Sequence, residues 1–385
     1  MDNLTHTFVG LAAAKAGLER LSPAATIVCV LAANAPDLDI LATFGGRWFY
    51  LHHHRGITHS IVGTLTLALL IPTLFYAGDW LLSRIRRRPQ RMRFYGLLLA
   101  SLILSASHPL MDWMNNYGLR PLLPWNREWF YGDLVYIVDP WLWLLVGGAA
   151  FLLTSKRTWQ IIAWSALALL LTGLVIFLPL ENAGLLHPNL FRVLWISAIV
   201  GLFLARRVRF SERWGKSVAQ AALILVVVYW GGLALAHRAA LSDAETIAQR
   251  ISAQRNEKLL RIAAMPVLAD PLRWQCVADT DRATYRFYVS LVRSNDEWAS
   301  GTARFEKPQG DDALAFERAA KDWRAQIFLD FARFPATRIE GDCLSGLLVQ
   351  FADLRYTEPG AGGRGAFSLS VPVTCDAGME KESGK

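Results

Sequence analysis

Long apolar runs recur along the chain, at 61–82, 94–111, 138–154, 159–178, 190–205 and 217–236. A helix that crosses a bilayer needs about 20 mostly apolar residues. Every backbone amide inside hydrocarbon must find its partner within the chain, so such runs can only be helices. They predict an all-α polytopic membrane domain of six long spans over residues 1–240. Two shorter helical runs, 5–18 and 23–35, reach about 21 Å each at 1.5 Å per residue. They predict a short N-terminal hairpin turning at Leu21-Ser22-Pro23, which enters the bilayer partway or lies at its interface.

Composition agrees. The chain is 53% hydrophobic and only 19% charged, against about 25% charged in a soluble domain. It holds 15 Trp, a residue that favours the membrane–water boundary. The net charge of +8 would suit nucleic acid, but the cations cluster at the ends of apolar runs. That placement sets topology, and no nucleic-acid partner is expected. Arg84, Arg86, Arg87, Arg88, Arg91 and Arg93 join the first two long runs. Lys156 and Arg157 join the next pair, Arg206, Arg207, Arg209, Arg213 and Lys216 the last, and Lys15 and Arg20 mark the short hairpin. These loops read as cytoplasmic, so 36–60, 112–137, 179–189 and everything from about 237 read as outer. The expectation is a multi-pass protein of the bacterial inner membrane. The Met1-Asp2-Asn3 start lacks the basic region of a signal peptide.

From 241 the character changes, and 241–385 reads as a small extracytoplasmic α+β domain. A polar helix is expected over 241–262 and a second helix over 311–333. Strands are expected within 274–293, over 344–356 and over 366–374, the last two around the Gly-rich "EPGAGGRGA". Cys29 sits in an apolar helix. In an oxidising compartment two of Cys276, Cys343 and Cys375 can pair, with three free thiols the equal alternative. The domain's protein partner is not identified by its sequence.

Five polar stretches fall on one face of this topology. They are "THT" (5–7), "NAPDLD" (34–39), "HHHRGITHS" (52–60), "SHPLMDWMNNYG" (107–118) and the loop beyond it with Arg120, Arg127, Glu128, Asp133 and Asp139. His108 and Asp112 are four apart, so a helix stacks them on one face, although Pro109 between them puts that helix in doubt. Asp37 and Asp39 are ionisable groups at membrane depth, where such residues are costly and tend to be functional. A returning hairpin brings them near His6. His59 enters the first long run and needs a buried partner, which a metal ion supplies. Arg55 has the planar fork that suits phosphate or carboxylate; a lipid-headgroup contact is the equal alternative. His52 and His53 read as interfacial flank, and Thr58 and Ser60 as a helix start. No GxSxG surrounds any serine, which leaves a serine hydrolase unsupported. Mixed His and Asp ligands suit zinc, manganese or ferrous iron, and their number allows one ion or two.

The stretches Thr5-His6, Pro36-Asp37-Leu38-Asp39, His54-Arg55-Gly56, Thr58-His59-Ser60 and His108-x-x-x-Asp112 with Asn115 and Gly118 resemble the YdjM family of predicted membrane-bound, metal-dependent hydrolases. The resemblance covers roughly residues 1–180. The order of His and Asp is also similar to that of zinc-dependent phospholipase C and related nucleases. The resemblance implies His6, Asp37, His59, His108 and Asp112 as metal ligands, with Asp39 and His54 as further ligands or general base and acid. It implies a divalent transition metal, zinc or manganese first.

The leading expectation is an integral membrane metal-dependent hydrolase. Metal-activated water would attack a phosphoester, with a lipid or lipid-linked substrate as the candidate, and Arg55 on the phosphate. The alternatives are a metal transporter or sensor and a non-enzymatic assembly factor with a structural metal site. The spans from 138 to 236 carry almost no ionisable residue at their centres, which leaves no ion path of the kind transporters build at the midplane.

Overall fold

The computed structural model describes residues 1–177, 187–292, 301–342, 346–360 and 367–374. In chain order the helices are α1 (Asn3–Ala16), α2 (Ala25–Asn34), α3 (Arg47–His53), α4 (Ile61–Ile85), α5 (Phe94–Trp113), α6 (Pro140–Thr154), α7 (Thr158–Phe177), α8 (Pro188–Arg207), the short α9 (Phe210–Trp214) and α10 (Ser217–Arg255). The strands β1 (Leu259–Val267), β2 (Asp270–Thr280), β3 (Ala283–Ser290) and β4 (Ala303–Glu306) follow. Then come α11 (Asp311–Ala319), α12 (Trp323–Phe331), β5 (Pro335–Glu340), β6 (Leu347–Asp353) and β7 (Ser368–Val373).

Six helices among the described residues are long and apolar enough to cross a membrane. The number is the one expected, but one member changes. Helix α2 does not stop before Pro36; it runs on as a 3-10 helix, Ala35–Gly45, so that Ala25–Gly45 is long enough to span. The run at 138–154 is shorter than expected. Asp139 accepts from the amides of Trp141 and Leu142 and Pro140 takes the first turn, so α6 starts only there. Its middle, Trp143–Gly147, is a π turn.

The chain divides into two compact units. The first comprises Met1–Ile40, Arg55–Ala236 and Pro266–Pro271. In it α1 packs on α2, α2 on α5, and α5 on α4. Small residues line these contacts: Ala12, Ala14, Cys29, Ala32 and Ala100 are buried with Leu104 and Met111. Small side chains let helix backbones approach closely, which is how membrane helices associate without a hydrophobic drive between them. Farther along α4, Leu69, Leu70, Leu74 and Leu81 are exposed, apolar surface suited to lipid. The arginine-rich loop after α4 is fixed by Asp79, which accepts from Arg88 at 2.8 Å and from the amides of Arg91 and Met92.

The second unit comprises Leu41–His54, His237–Met265 and Leu272–Lys385. It holds two antiparallel sheets, β1-β2-β3-β4 and β5-β6-β7. Cys276 pairs with Phe287 across β2 and β3, and Val349 with Val371 across β6 and β7. Ala315, Ala319 and Phe328 of α11 and α12 bury against Phe351 and Leu369. Trp48 of α3 packs on the same cluster, and Arg47 donates to the Ser368 carbonyl at 2.5 Å.

Three expectations for this unit need correction. The helix expected over 241–262 ends at Arg255, because Asn256 turns into the left-handed region and Leu259 opens β1. The helix expected over 311–333 is two, because Asp322 caps a new one by accepting from the Arg324 amide. Strands β1, β4 and β5 had no counterpart in the sequence reading. Cys276 is buried as a free thiol, while Cys343 and Cys375 lie outside the described residues.

Candidate metal centre

Local chemistry places each site residue in turn. Asp2 caps α1, accepting from the amide and hydroxyl of Thr5, and the Trp143 indole donates to both residues. This fixes the first turn of α1 and hence His6. Thr7 and Asn34 hydrogen-bond each other across α1 and α2. Beyond Asn34 the tighter 3-10 winding takes about 3 residues per turn, so residues two apart leave the helix on different sides. Asp37 and Asp39 thereby reach opposite edges of one ring: Asp37 Oδ1 is 3.4 Å from His59 Nε2, and Asp39 Oδ2 is 3.3 Å from His59 Nδ1.

His59 ends a single 3-10 turn, Ile57–His59, capped into α4 by Ser60, whose hydroxyl accepts from the Gly63 amide. Gly63 is needed here: a β-carbon on it would stand 1.8 Å from the Ile57 carbonyl oxygen. Helix α5 runs unbroken through Pro109, so His108 and Asp112 do share a face.

The four ligand atoms meet inside the first unit. His59 Nε2 and His108 Nε2 are 3.1 Å apart. Asp112 Oδ2 is 3.2 Å from His59 Nε2 and 3.5 Å from His108 Nε2; Asp37 Oδ1 is 3.4 and 3.5 Å from the same two nitrogens. Four ligands held about 2.0–2.1 Å from one zinc ion at tetrahedral corners stand about 3.3 Å apart. The five spacings that involve the two imidazole nitrogens, 3.1–3.5 Å, agree with such a tetrahedron.

Tautomers point the same way. His108 Nδ1 is 2.7 Å from the Ala33 carbonyl. A carbonyl only accepts, so the proton is on Nδ1 and the lone pair of the neutral ring is on Nε2. His59 Nδ1 has two partners, the Asp39 carboxylate at 3.3 Å and the Thr58 hydroxyl at 3.1 Å. Each ring is thus fixed by a partner on its far nitrogen, the arrangement usual for metal-binding histidines. Two imidazole lone pairs and two carboxylates facing one point, all buried, repel each other unless a cation lies between them. Asp37 Oδ2 and Asp112 Oδ2 accept no hydrogen bond from the described residues. The group fits a divalent ion.

Arg55 is buried at the floor of this group. Its backbone is left-handed (φ 52°), a strain of order 1–3 kcal/mol that surrounding contacts must hold. Its amide donates to Asp39 at 2.7 Å. Its guanidinium donates to Asp112 Oδ1 at 3.1 Å, Asn115 Oδ1 at 2.9 Å and the Gly118 carbonyl at 3.2 Å, and lies 4.6 Å over the Tyr117 ring. Arg55 therefore holds protein groups, Asp112 first among them.

His6 is fully buried and stacks on His108 with ring centroids 3.7 Å apart. Its Nε2 lies 3.5 Å from Asp112 Oδ1, and neither ring nitrogen has a hydrogen-bond partner among the described residues. The Met1 ammonium also meets Asp112 Oδ1. His54 is not one of the grouped ligands; its ring stacks on Tyr50. His52 and His53 are exposed, as are Arg127 and Glu128. Asp139 is spent on its helix cap and on Tyr229. The Ala33 carbonyl and the Tyr117 ring were not in the sequence reading. Tyr117 stood inside a singled-out stretch; the carbonyl has no signature in sequence.

The fold and site define a multi-pass membrane protein with a buried Asp/His group able to hold a metal ion. Residues 1–183 match the family described as YdjM inner membrane protein. The chain is similar to the uncharacterized protein YfhP of Bacillus subtilis, at 28% identity over 37% of this chain and 43% of that one. It is also similar to the inner membrane protein YbcI of Escherichia coli, at 28% identity over 40% of this chain and 80% of that one. The match thus spans less than half the length of YfhP. No solved structure matches.

Proposed function

We propose that the protein is a metal-dependent hydrolase of the inner membrane that cleaves a phosphoester. The observation that carries this reading is the buried group of Asp37 Oδ1, His59 Nε2, His108 Nε2 and Asp112 Oδ2 facing one point, with the His108 ring oriented by the Ala33 carbonyl. A zinc or manganese ion bound there supplies a Lewis acid and lowers the pKa of water at neutral pH. The chain's own residues prepare the place. Asp39 orients His59, and Arg55 and Asn115 hold Asp112 and its turn, so these are positioning residues. Asp37 alone of the four keeps some exposure, 8%, although its Oδ2 is itself buried with no hydrogen-bond partner among the described residues. His6 stacks on His108 outside the group of four, and the Asp112 oxygen nearest to it, Oδ1, is already engaged by Arg55 and the Met1 ammonium. The loops 36–60 and 112–137 then face the periplasm.

A second reading has its own observation. Structural metal sites are closed by four protein ligands, whereas catalytic ones keep a position open, and three of these four side chains are wholly buried. That suits an assembly factor with a metal staple.

The deciding experiment is metal content per chain by mass spectrometry in mild detergent, paired with phosphoester hydrolysis. Wild type is expected to carry one or two ions and to cleave; His59→Ala and Asp112→Ala are expected to lose both properties. Three metal-free proteins would overturn the reading. A metal-replete wild type that cleaves no phosphoester would favour the staple.

A further inference from the structure

The buried cage raises the question of how a substrate reaches it. A cavity of about 390 Å³ opens beside His59, between α4 and α5. This is within the size range of ligand pockets, about 300–1,000 Å³. Its walls are Ile61 and Leu65 of α4, Ala106, Pro109, Leu110 and Trp113 of α5, and Leu119, Pro121 and Phe130 of the following loop. All are apolar. Ile61, Leu65 and Leu110 are about half exposed in the protein alone, and they lie at the ends of two spans, so the cavity opens sideways toward lipid.

Two polar side chains interrupt the apolar wall, His59 and Thr64. Thr64 is 6% exposed, and its hydroxyl has no hydrogen-bond partner among the described residues. A hydroxyl buried without a partner costs about 1–3 kcal/mol. Its neighbours Thr66 and Thr73 satisfy theirs on the preceding helical turn, at 2.8 and 2.7 Å.

We infer that this groove holds the hydrocarbon chain of a phosphate-headed lipid, with the Thr64 hydroxyl donating to the headgroup. The inference deepens the hydrolase reading and rests on it for the phosphate. The chain enters from the bilayer, its head reaches the His59 end, and Trp113 and Phe130 close the outer side. The substrate class is then an amphiphile delivered laterally, not a soluble phosphoester arriving from water.

The test uses the full-length, metal-loaded protein in detergent with a diazirine-bearing hexadecyl phosphate. After irradiation, labelled peptides are mapped. The label is expected on 61–65 and 106–113, displaced by excess hexadecyl phosphate but by neither hexadecanol nor inorganic phosphate. Ala106→Trp and Leu65→Trp, which fill the groove, should lose the label while keeping wild-type metal content. Thr64→Val should keep the label but let hexadecanol compete equally. Label spread evenly over the lipid-facing helices, or displaced by inorganic phosphate, would overturn the inference. The expected labelling from a protein that hydrolyses no phosphoester would sink the hydrolase reading and leave the groove assignment standing.

Discussion

Asp39 lies two residues from Asp37 but outside the group of four that could hold an ion. Its carboxylate fixes the far nitrogen of His59, and partners of this kind typically account for about 10–100-fold in metal affinity. Asp39→Asn is therefore expected to retain the ion at saturating metal and to lose affinity by about that factor, read by competition with a chelating dye. Asp37→Asn should instead remove a ligand and abolish tight binding. Equal behaviour of the two variants would contradict the division of labour. The sequence announced both aspartates, because charge at membrane depth is conspicuous. It could not separate their roles, since that depends on which nitrogen of His59 each carboxylate meets. Arg55 shows the same limit. Its guanidinium chemistry was legible, but the groups that claim it come from Asn115 and Gly118, some sixty residues on.

At the scale of elements, α4 offers a matched pair of glycines. A β-carbon on Gly63 would press on the Ile57 carbonyl at 1.8 Å, whereas one on Gly78 would meet nothing within 4 Å. Gly63→Ala must displace the turn that carries His59, and should lower both melting temperature and metal content. Gly78→Ala should leave metal content alone and stabilise the helix by up to about 1 kcal/mol. The helix–strand junction at Glu257 gives a pH prediction. Burial would raise its carboxyl, but hydrogen bonds from Thr280, Arg304 and Tyr285 outweigh it and hold it below the ordinary glutamate value of 4.5. A depressed folded-state pKa contributes stability that is present above the unfolded value and lost as pH falls through the folded one. The second unit should therefore destabilise on acidification below about pH 4.5, and Glu257→Gln should flatten that dependence in circular-dichroism melts. Neither feature could be read from sequence: Gly63 looks like any glycine in an apolar run, and Glu257 finds its partners on β2, β3 and β4. Long spans were legible because lipid imposes one pattern. The strands β1, β4 and β5 were not, because their side chains answer to tertiary neighbours.

At the scale of the whole molecule, the arginine loops predict sidedness. A reporter active only in the periplasm, fused after residue 240, should be active, and one fused within 84–93 should be silent. The opposite pair would invert the proposed placement of the site while leaving its geometry intact. The count of six spans followed from hydropathy alone. Their membership did not, because Pro36 is passed by a 3-10 stretch and Pro140 is used as a start.

The group able to hold an ion runs from Asp37 to Asp112, with Asn115 bracing it through Arg55. A ribosome making this protein releases Asp37 and His59 well before His108 and Asp112 exist. Through that interval the two side chains sit in the nascent chain without the other half of the group that could close around an ion. The centre can be completed only once α5 has inserted, so ion capture becomes a late event in biogenesis. Because binding energy released at that moment is folding energy, the ion would ratify an assembled α1–α5 bundle rather than nucleate it. Cells starved of the metal would then accumulate inserted but unlocked chains.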